Sequence, residues 1–175
     1  MKTKYDRLLT SIGKEDHGTM LEMDIPGCRP IRLSDLVLDY NGTIAFDGKI
    51  IKGVKERLEV LSRSLGIHVL TADTFGSVRQ ELSGIACRLS VIPIENQVRA
   101  KVDFLRRLGC DTSVCIGNGR NDMLMLKEAA LGIAVIQSEG ACVEAILAAD
   151  VVTNSVLDAL DLLLHPLRLT ATLRS

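Results

Sequence analysis

From residue 35 onward the chain alternates short apolar runs with segments of helical period, and this alternation constrains the fold more than any other feature. Apolar runs at 35–40, 67–70, 87–92, 113–116, 132–136 and 151–152 predict strands. The segments between them, at about 53–65, 75–82, 97–108, 122–129, 141–148 and 156–164, place apolar residues at helical spacing, as with Val54, Leu58, Leu61 and Leu65. Strand–helix repetition of this kind demands a mainly parallel sheet covered by helices on both faces, a doubly wound α/β domain. Two smaller features are expected beside it. Residues 21–25 alternate at period two, Pro26-Gly27 turns, and 30–33 returns, which predicts a small N-terminal hairpin. Asp47-Gly48 is the turn pair of a second hairpin.

In such sheets ligands collect at the carboxyl ends of the strands, and there the sequence places its chemistry. The run Leu36-Val37-Leu38 ends in Asp39, followed at once by Tyr40-Asn41-Gly42-Thr43. Thr71 ends the second run, and Gly117-Asn118-Gly119-Arg120-Asn121-Asp122 follows the fourth. A strand-ending Asp before a glycine turn is common for backbone reasons alone. The combination at several strand ends is what points to one shared site.

Composition narrows the setting. The 175 residues, 47% hydrophobic and 25% charged, suffice for one good core, which predicts a single domain over 20–175 preceded by a loose polar extension at 1–19. With 21 basic and 22 acidic residues the net charge is −1, so no global field recruits nucleic acid or an anionic membrane. Apolar stretches fall short of a membrane span. The absence of a charged-then-apolar leader makes the cytoplasm the expected location. Cys28, Cys87, Cys110, Cys115 and Cys142 form no C-x-x-C pair and are expected as buried, reduced thiols. His17, His68 and His165 form no pair at metal-ligand spacing and read as structural.

Asp39-Tyr40-Asn41-Gly42-Thr43, Leu70-Thr71-Ala72-Asp73 and the loop from Gly117 to Asp122 together resemble the haloacid dehalogenase (HAD) superfamily, and most closely the phosphorylation domain of P-type ATPases. Gly132-Ile133-Ala134-Val135 and Ala148-Ala149-Asp150-Val151-Val152 extend the resemblance, which covers about residues 35–174. It implies a Rossmann-like, HAD-like fold. Only 27 residues separate Thr43 from Thr71, which leaves no room for the nucleotide-binding domain of the pumps, so no cap domain is expected.

The resemblance further implies a magnesium-dependent phosphatase. Asp39 would be the nucleophile that becomes an aspartyl phosphate. Asn41, Thr71 and Lys101 would complete the catalytic set. Tyr40, Asn41, Gly42, Thr71, Ala72 and Lys101 would hold the phosphoryl group, partly through a nest of backbone N–H groups, and Asp39, Asn41, Asn118 and Asp122 would hold magnesium. By composition alone Lys101 reads as a surface residue, since it shares its helix with Arg99, Arg106 and Arg107; the resemblance moves it into the site.

Two substitutions bear on rate. Asn41 stands where most of these phosphatases carry the Asp that serves as general acid and base, which implies slow turnover. Asn118 stands where they carry a metal-binding Asp, and an amide oxygen is a weaker ligand for a hard cation. Asn118 and Asn121 are also expected to cap the next helix, and Asp73 the helix from 75. The expected substrate is a small phosphorylated compound. An open site could borrow a wall from a second copy, so self-association is an expectation, with the 20–33 ribbon as the candidate contact. Two other readings use the same residues: a non-catalytic, regulatory or phospho-ligand-binding protein, and a receiver domain, which the order of the motifs disfavours.

Overall fold

The computed structural model describes residues 20–72 and 77–175. The expected extension at 1–19, with His17, and the expected capping by Asp73 lie outside the described residues. A six-stranded, all-parallel sheet forms the centre. Its strands are β3 (Asp35–Asp39), β6 (Gly66–Thr71), β7 (Arg88–Val91), β8 (Ser113–Gly117), β9 (Leu131–Val135) and β10 (Val151–Thr153), in the order β10-β9-β8-β3-β6-β7. The order reverses at β3, so the crevice at its carboxyl end is the switch point where ligands bind in such sheets.

The period of two along each strand sorts side chains into two cores. Leu36 and Leu38 of β3 join Ile67, Val69, Val114 and Ile116 in the larger one, with α1 (Val54–Leu61), α2 (Ser77–Glu81), α6 (Val156–Leu164) and α7 (Pro166–Leu173) on that side. Val37 faces the other way, with Leu70 and Cys115, against α3 (Gln97–Leu108), α4 (Met123–Glu128) and α5 (Val143–Ala148). Helices thus cover both faces, as the alternation requires. Arg57 of α1 and Asp161 of α6 add a two-pronged ion pair, with both N···O distances 2.8 Å.

Both expected hairpins are present. In the first, β1 (Leu21–Met23) pairs antiparallel with β2 (Ile31–Leu33). In the second, β4 (Ala45–Phe46) pairs with β5 (Lys49–Ile50), and Asp47 (φ 49°) and Gly48 (φ 75°) both adopt the positive φ that a tight two-residue connection demands. The buried Tyr40 anchors this second hairpin by donating its phenolic hydrogen to the Gly48 carbonyl at 2.9 Å.

Several boundaries and assignments differ from expectation. α1 stops at Leu61, because Ser62-Arg63-Ser64 turns the chain with short bonds from Ser64 and Leu65 N–H to Leu61 O before β6 begins. α7 was not expected. Pro166 lies in its first turn, where a missing N–H costs nothing, and Leu169 is fully buried against the larger core. It touches β1, so the ribbon expected as a contact between copies already buries Met23 and Leu33 within its own chain. All five cysteines are free, but only Cys115 is buried: Cys28 is exposed, and the remaining three lie at helix ends or the sheet edge and are half-buried.

Candidate active site

Asp39 has the same parity as Val37, so it emerges on the face of the sheet covered by α3. Lys101 comes from that helix. It lies on the buried stripe with Phe104 and Leu105, three and four residues on, while Arg99 and Arg106 project to the opposite, solvated side. Its side chain is 1% exposed, and its Nζ donates to Asp39 Oδ1 at 2.5 Å and to Asp122 Oδ1 at 2.6 Å. The surface reading of Lys101 from composition is therefore wrong. An ammonium has three hydrogens, so one remains for a further acceptor.

Asp122 is fully buried. Its second oxygen accepts the backbone N–H groups of Asn118 (3.0 Å) and Gly119 (2.9 Å), which folds the loop after β8 back on itself. Gly117 permits this, since a Cβ there would come within 2.5 Å of the Asp122 carboxyl carbon. Asn118 and Asn121 do not cap the next helix as expected: Asn121 donates its amide to Gln97 Oε1 at 2.7 Å and Asn118 to the Gly140 carbonyl at 3.0 Å. Asp122, a charged acceptor, satisfies the loop amides in their place.

Thr43 links the halves of the site. Its hydroxyl lies 3.0 Å from Asp39 Oδ2 and 3.2 Å from Asn118 Oδ1. Burial, followed by the nearby Asp122 carboxylate, pushes the Asp39 carboxyl up to about 6, against the opposing pull of Lys101 and Thr43. Burial works against the Lys101 ammonium, yet the two carboxylates hold it above its ordinary value. The ammonium therefore stays charged, and Asp39 shares a proton with solvent in the mildly acidic range.

The structure thus brings together Asp39, Lys101, Asn118 and Asp122, and adds Thr43, which the motif contains but to which no role was given. Thr71 is buried at the end of β6, one residue beyond Leu70, the register partner of Asp39. Ala72 follows it, half-buried, and Asn41 is exposed on the turn. The expected nest is partly closed. The N–H of Tyr40 donates to Leu70 O and that of Gly42 to Ala45 O, because the turn satisfies its own backbone.

Among the described residues no three His, Cys, Asp or Glu side chains converge as a metal site. The oxygens around Thr43 are instead one carboxylate, Asp39 Oδ2, and one amide, Asn118 Oδ1. Such a set of hard oxygen donors fits magnesium, which keeps several waters and needs one or two carboxylates. It would not suit a softer ion that requires thiolate or imidazole.

Comparison with known proteins agrees with this fold. Solved structures that superpose on the chain include 3-deoxy-D-manno-octulosonate 8-phosphate phosphatase from Moraxella catarrhalis, in complex with magnesium, phosphate and KDO (TM-score 0.64, 15% identity, 76% of this chain and 86% of that one). The cobalt-bound deoxy-D-mannose-octulosonate 8-phosphate phosphatase from Haemophilus influenzae also superposes (TM-score 0.64, 13% identity, 82% and 94%). The fold is that of the HAD superfamily. No protein-family model matches the chain. It is 59% identical over 39 residues to uncharacterized protein MJ0072 of Methanocaldococcus jannaschii, covering 89% of that protein, and belongs to one family with it. It is also 56% identical over 61 residues to uncharacterized protein MJ0073 of the same organism, covering 66% of that protein and 35% of this chain. Over 133 residues, 74% of this chain, it is 24% identical to cation-transporting ATPase 5 of Schizosaccharomyces pombe, but spans only 10% of the ATPase. Among the described residues no helix is long and apolar enough to cross a membrane.

Proposed function

We propose that the chain is a magnesium-dependent phosphohydrolase that works through an aspartyl phosphate on Asp39. The observation that carries this reading is the buried Lys101 ammonium held between Asp39 and Asp122, with one hydrogen to spare beside a carboxylate at a switch point. A permanent positive charge there suits the equatorial oxygens of a transferring phosphoryl group.

In the first step an Asp39 carboxylate oxygen attacks phosphorus, and the bond from phosphorus to the leaving oxygen breaks. Lys101, Thr71 and the N–H groups of Asn41 and Ala72 hold the phosphoryl oxygens. In the second step water attacks phosphorus, phosphate departs, and Asp39 is regenerated. Asp39, Asn118 and the Asn41 carbonyl would hold magnesium, which supplies charge neutralisation when bound. Asp122, expected as a further metal ligand, also holds Lys101 through Oδ1 and the loop amides through Oδ2. Asn41 can neither protonate the leaving oxygen nor take a proton from water, so solvent does both and turnover is slow.

The test is hydrolysis of an aryl phosphate, acyl phosphates and a panel of phosphate monoesters that includes a phosphorylated sugar acid, suggested by the octulosonate phosphatases of the same fold. The parent should turn over with magnesium, and Asp39→Asn should lose all activity while keeping its fold, since it removes the nucleophile at a strand end. Activity of Asp39→Asn within twofold of the parent overturns the proposal. Tight binding of a phosphorylated compound with no turnover would favour the regulatory reading, to which Asn41 and Asn118 point.

A further inference from the structure

The turn that carries the site, residues 40–45, is closed mainly by local bonds: the N–H groups of Thr43, Ile44 and Ala45 all point at Tyr40 O. Asn118 reaches the Thr43 hydroxyl from the loop after β8, and another side chain reaches the backbone of the turn. Gln137, in the loop after β9, donates both hydrogens of its amide nitrogen, to the Gly42 carbonyl at 2.7 Å and to the Thr43 carbonyl at 2.5 Å. Its amide oxygen accepts the N–H of Val156, the first residue of α6, at 3.0 Å. Two acceptors on one side and a donor on the other leave only one orientation of the amide. The Val156 N–H belongs to the first turn of α6 and has no partner within that helix, so the helix end anchors Gln137 rigidly.

Resting on the phosphohydrolase reading above, we propose that Gln137 is a positioning residue for the nucleophile turn. By fixing the carbonyls of Gly42 and Thr43 it sets the Thr43 hydroxyl between Asp39 Oδ2 and Asn118 Oδ1, at 3.0 and 3.2 Å. It touches no reacting atom. Its effect passes through Thr43, whose hydroxyl orients the attacking carboxylate. A shift of about 1 Å in such a group costs on the order of 10²-fold in rate.

A glutamate at this position keeps the acceptor for Val156 but loses both donors to the turn; a leucine loses all three bonds at similar volume. Gln137→Glu and Gln137→Leu should each lower kcat by about 10- to 100-fold, with KM within about twofold of the parent. In a Thr43→Val background Gln137→Leu should change kcat less than about twofold, because the route through Thr43 is already cut. Additive losses in that cycle overturn the proposal. A parent inactive on every phosphate tested would refute the phosphohydrolase reading instead, and amide exchange then decides on Gln137. The Thr43, Ile44 and Ala45 amides should exchange at least about tenfold faster in Gln137→Leu while Leu38 in β3 stays protected. Equal acceleration at Leu38, which indicates general loosening, or no acceleration at the turn, overturns the proposal.

Discussion

Replacing Lys101 by methionine would separate the electrostatics of this site from its packing. Methionine retains most of the buried stem and removes the ammonium, which leaves the Asp39 and Asp122 carboxylates facing each other without a cation. Breaking a buried pair by deleting one partner costs about 3–5 kcal/mol, a large share of the roughly 5–15 kcal/mol that holds a domain together. The loss should depend on pH. In the parent, Asp39 titrates near 6 in the folded state against an ordinary 3.8, a difference worth about 3 kcal/mol. A folded value raised above the unfolded one contributes stability that is complete below the unfolded value and lost as pH rises through the folded one. The parent should therefore lose stability between about pH 4 and 6 from this group and level off above. The variant lacks the two effects of Lys101 that lower Asp39, so its carboxyl titrates higher still. Its stability should keep falling between pH 6 and 8, by about 1.4 kcal/mol for each further unit. Urea unfolding followed by circular dichroism at pH 5, 6.5 and 8 measures this. A deficit of under about 1 kcal/mol at pH 8, or one equal at all three pH values, would refute the buried-triad account.

Asn41→Asp should raise turnover by about 10²- to 10⁴-fold, by supplying the acid and base that the turn lacks; single-turnover kinetics with an activated ester will show it, and unchanged breakdown of the aspartyl phosphate would mean that position 41 does not face the reacting oxygens. Asn118→Asp should lower the magnesium concentration that gives half-maximal activity, since a carboxylate adds a full charge to the donor set. It also sets an oxygen against the Gly140 carbonyl, where the amide now donates, so without magnesium the variant should lose about 1–3 kcal/mol in a thermal melt. A variant as stable as the parent and unchanged in its magnesium requirement would contradict both statements.

The alternation of strands and helices, both hairpins and the placement of Asp39, Thr71 and the Gly117 loop at strand ends were legible because each rests on local pattern. α3 and α6 match their expected bounds for the same reason: an apolar stripe of helical period is intrinsic to the segment. What escaped was tertiary. By composition Lys101 looked like a surface charge among other charges, and only the family resemblance placed it in the site, although its phase, three and four residues before Phe104 and Leu105, already put it on the buried stripe. Gln137 belongs to no motif, and its role arises only when the loop after β9 meets the turn after β3. Capping by Asn118 and Asn121 fitted local propensity, but a charged competitor, Asp122, took the same amides. α7 escaped because it follows α6 directly, without the intervening strand that the alternation leads one to expect.

The position of β3 has a consequence for how the molecule comes into being. Its register partners begin at Gly66 on one side and Ser113 on the other, so its second edge is closed only by bringing distant parts of the chain together, a slow step in folding. Until β8 docks, Asp39 remains hydrated and titrates as an ordinary carboxylate; once it docks with Lys101 and Asp122, the same group rises to about 6. At pH 5, Asp39 should therefore take up close to one proton as the chain refolds, the difference in uptake between the parent and Asp39→Asn, and this uptake should coincide with protection of the β8 amides. Proton uptake complete within the initial collapse would mean that the site forms early, from the neighbourhood of β6 alone.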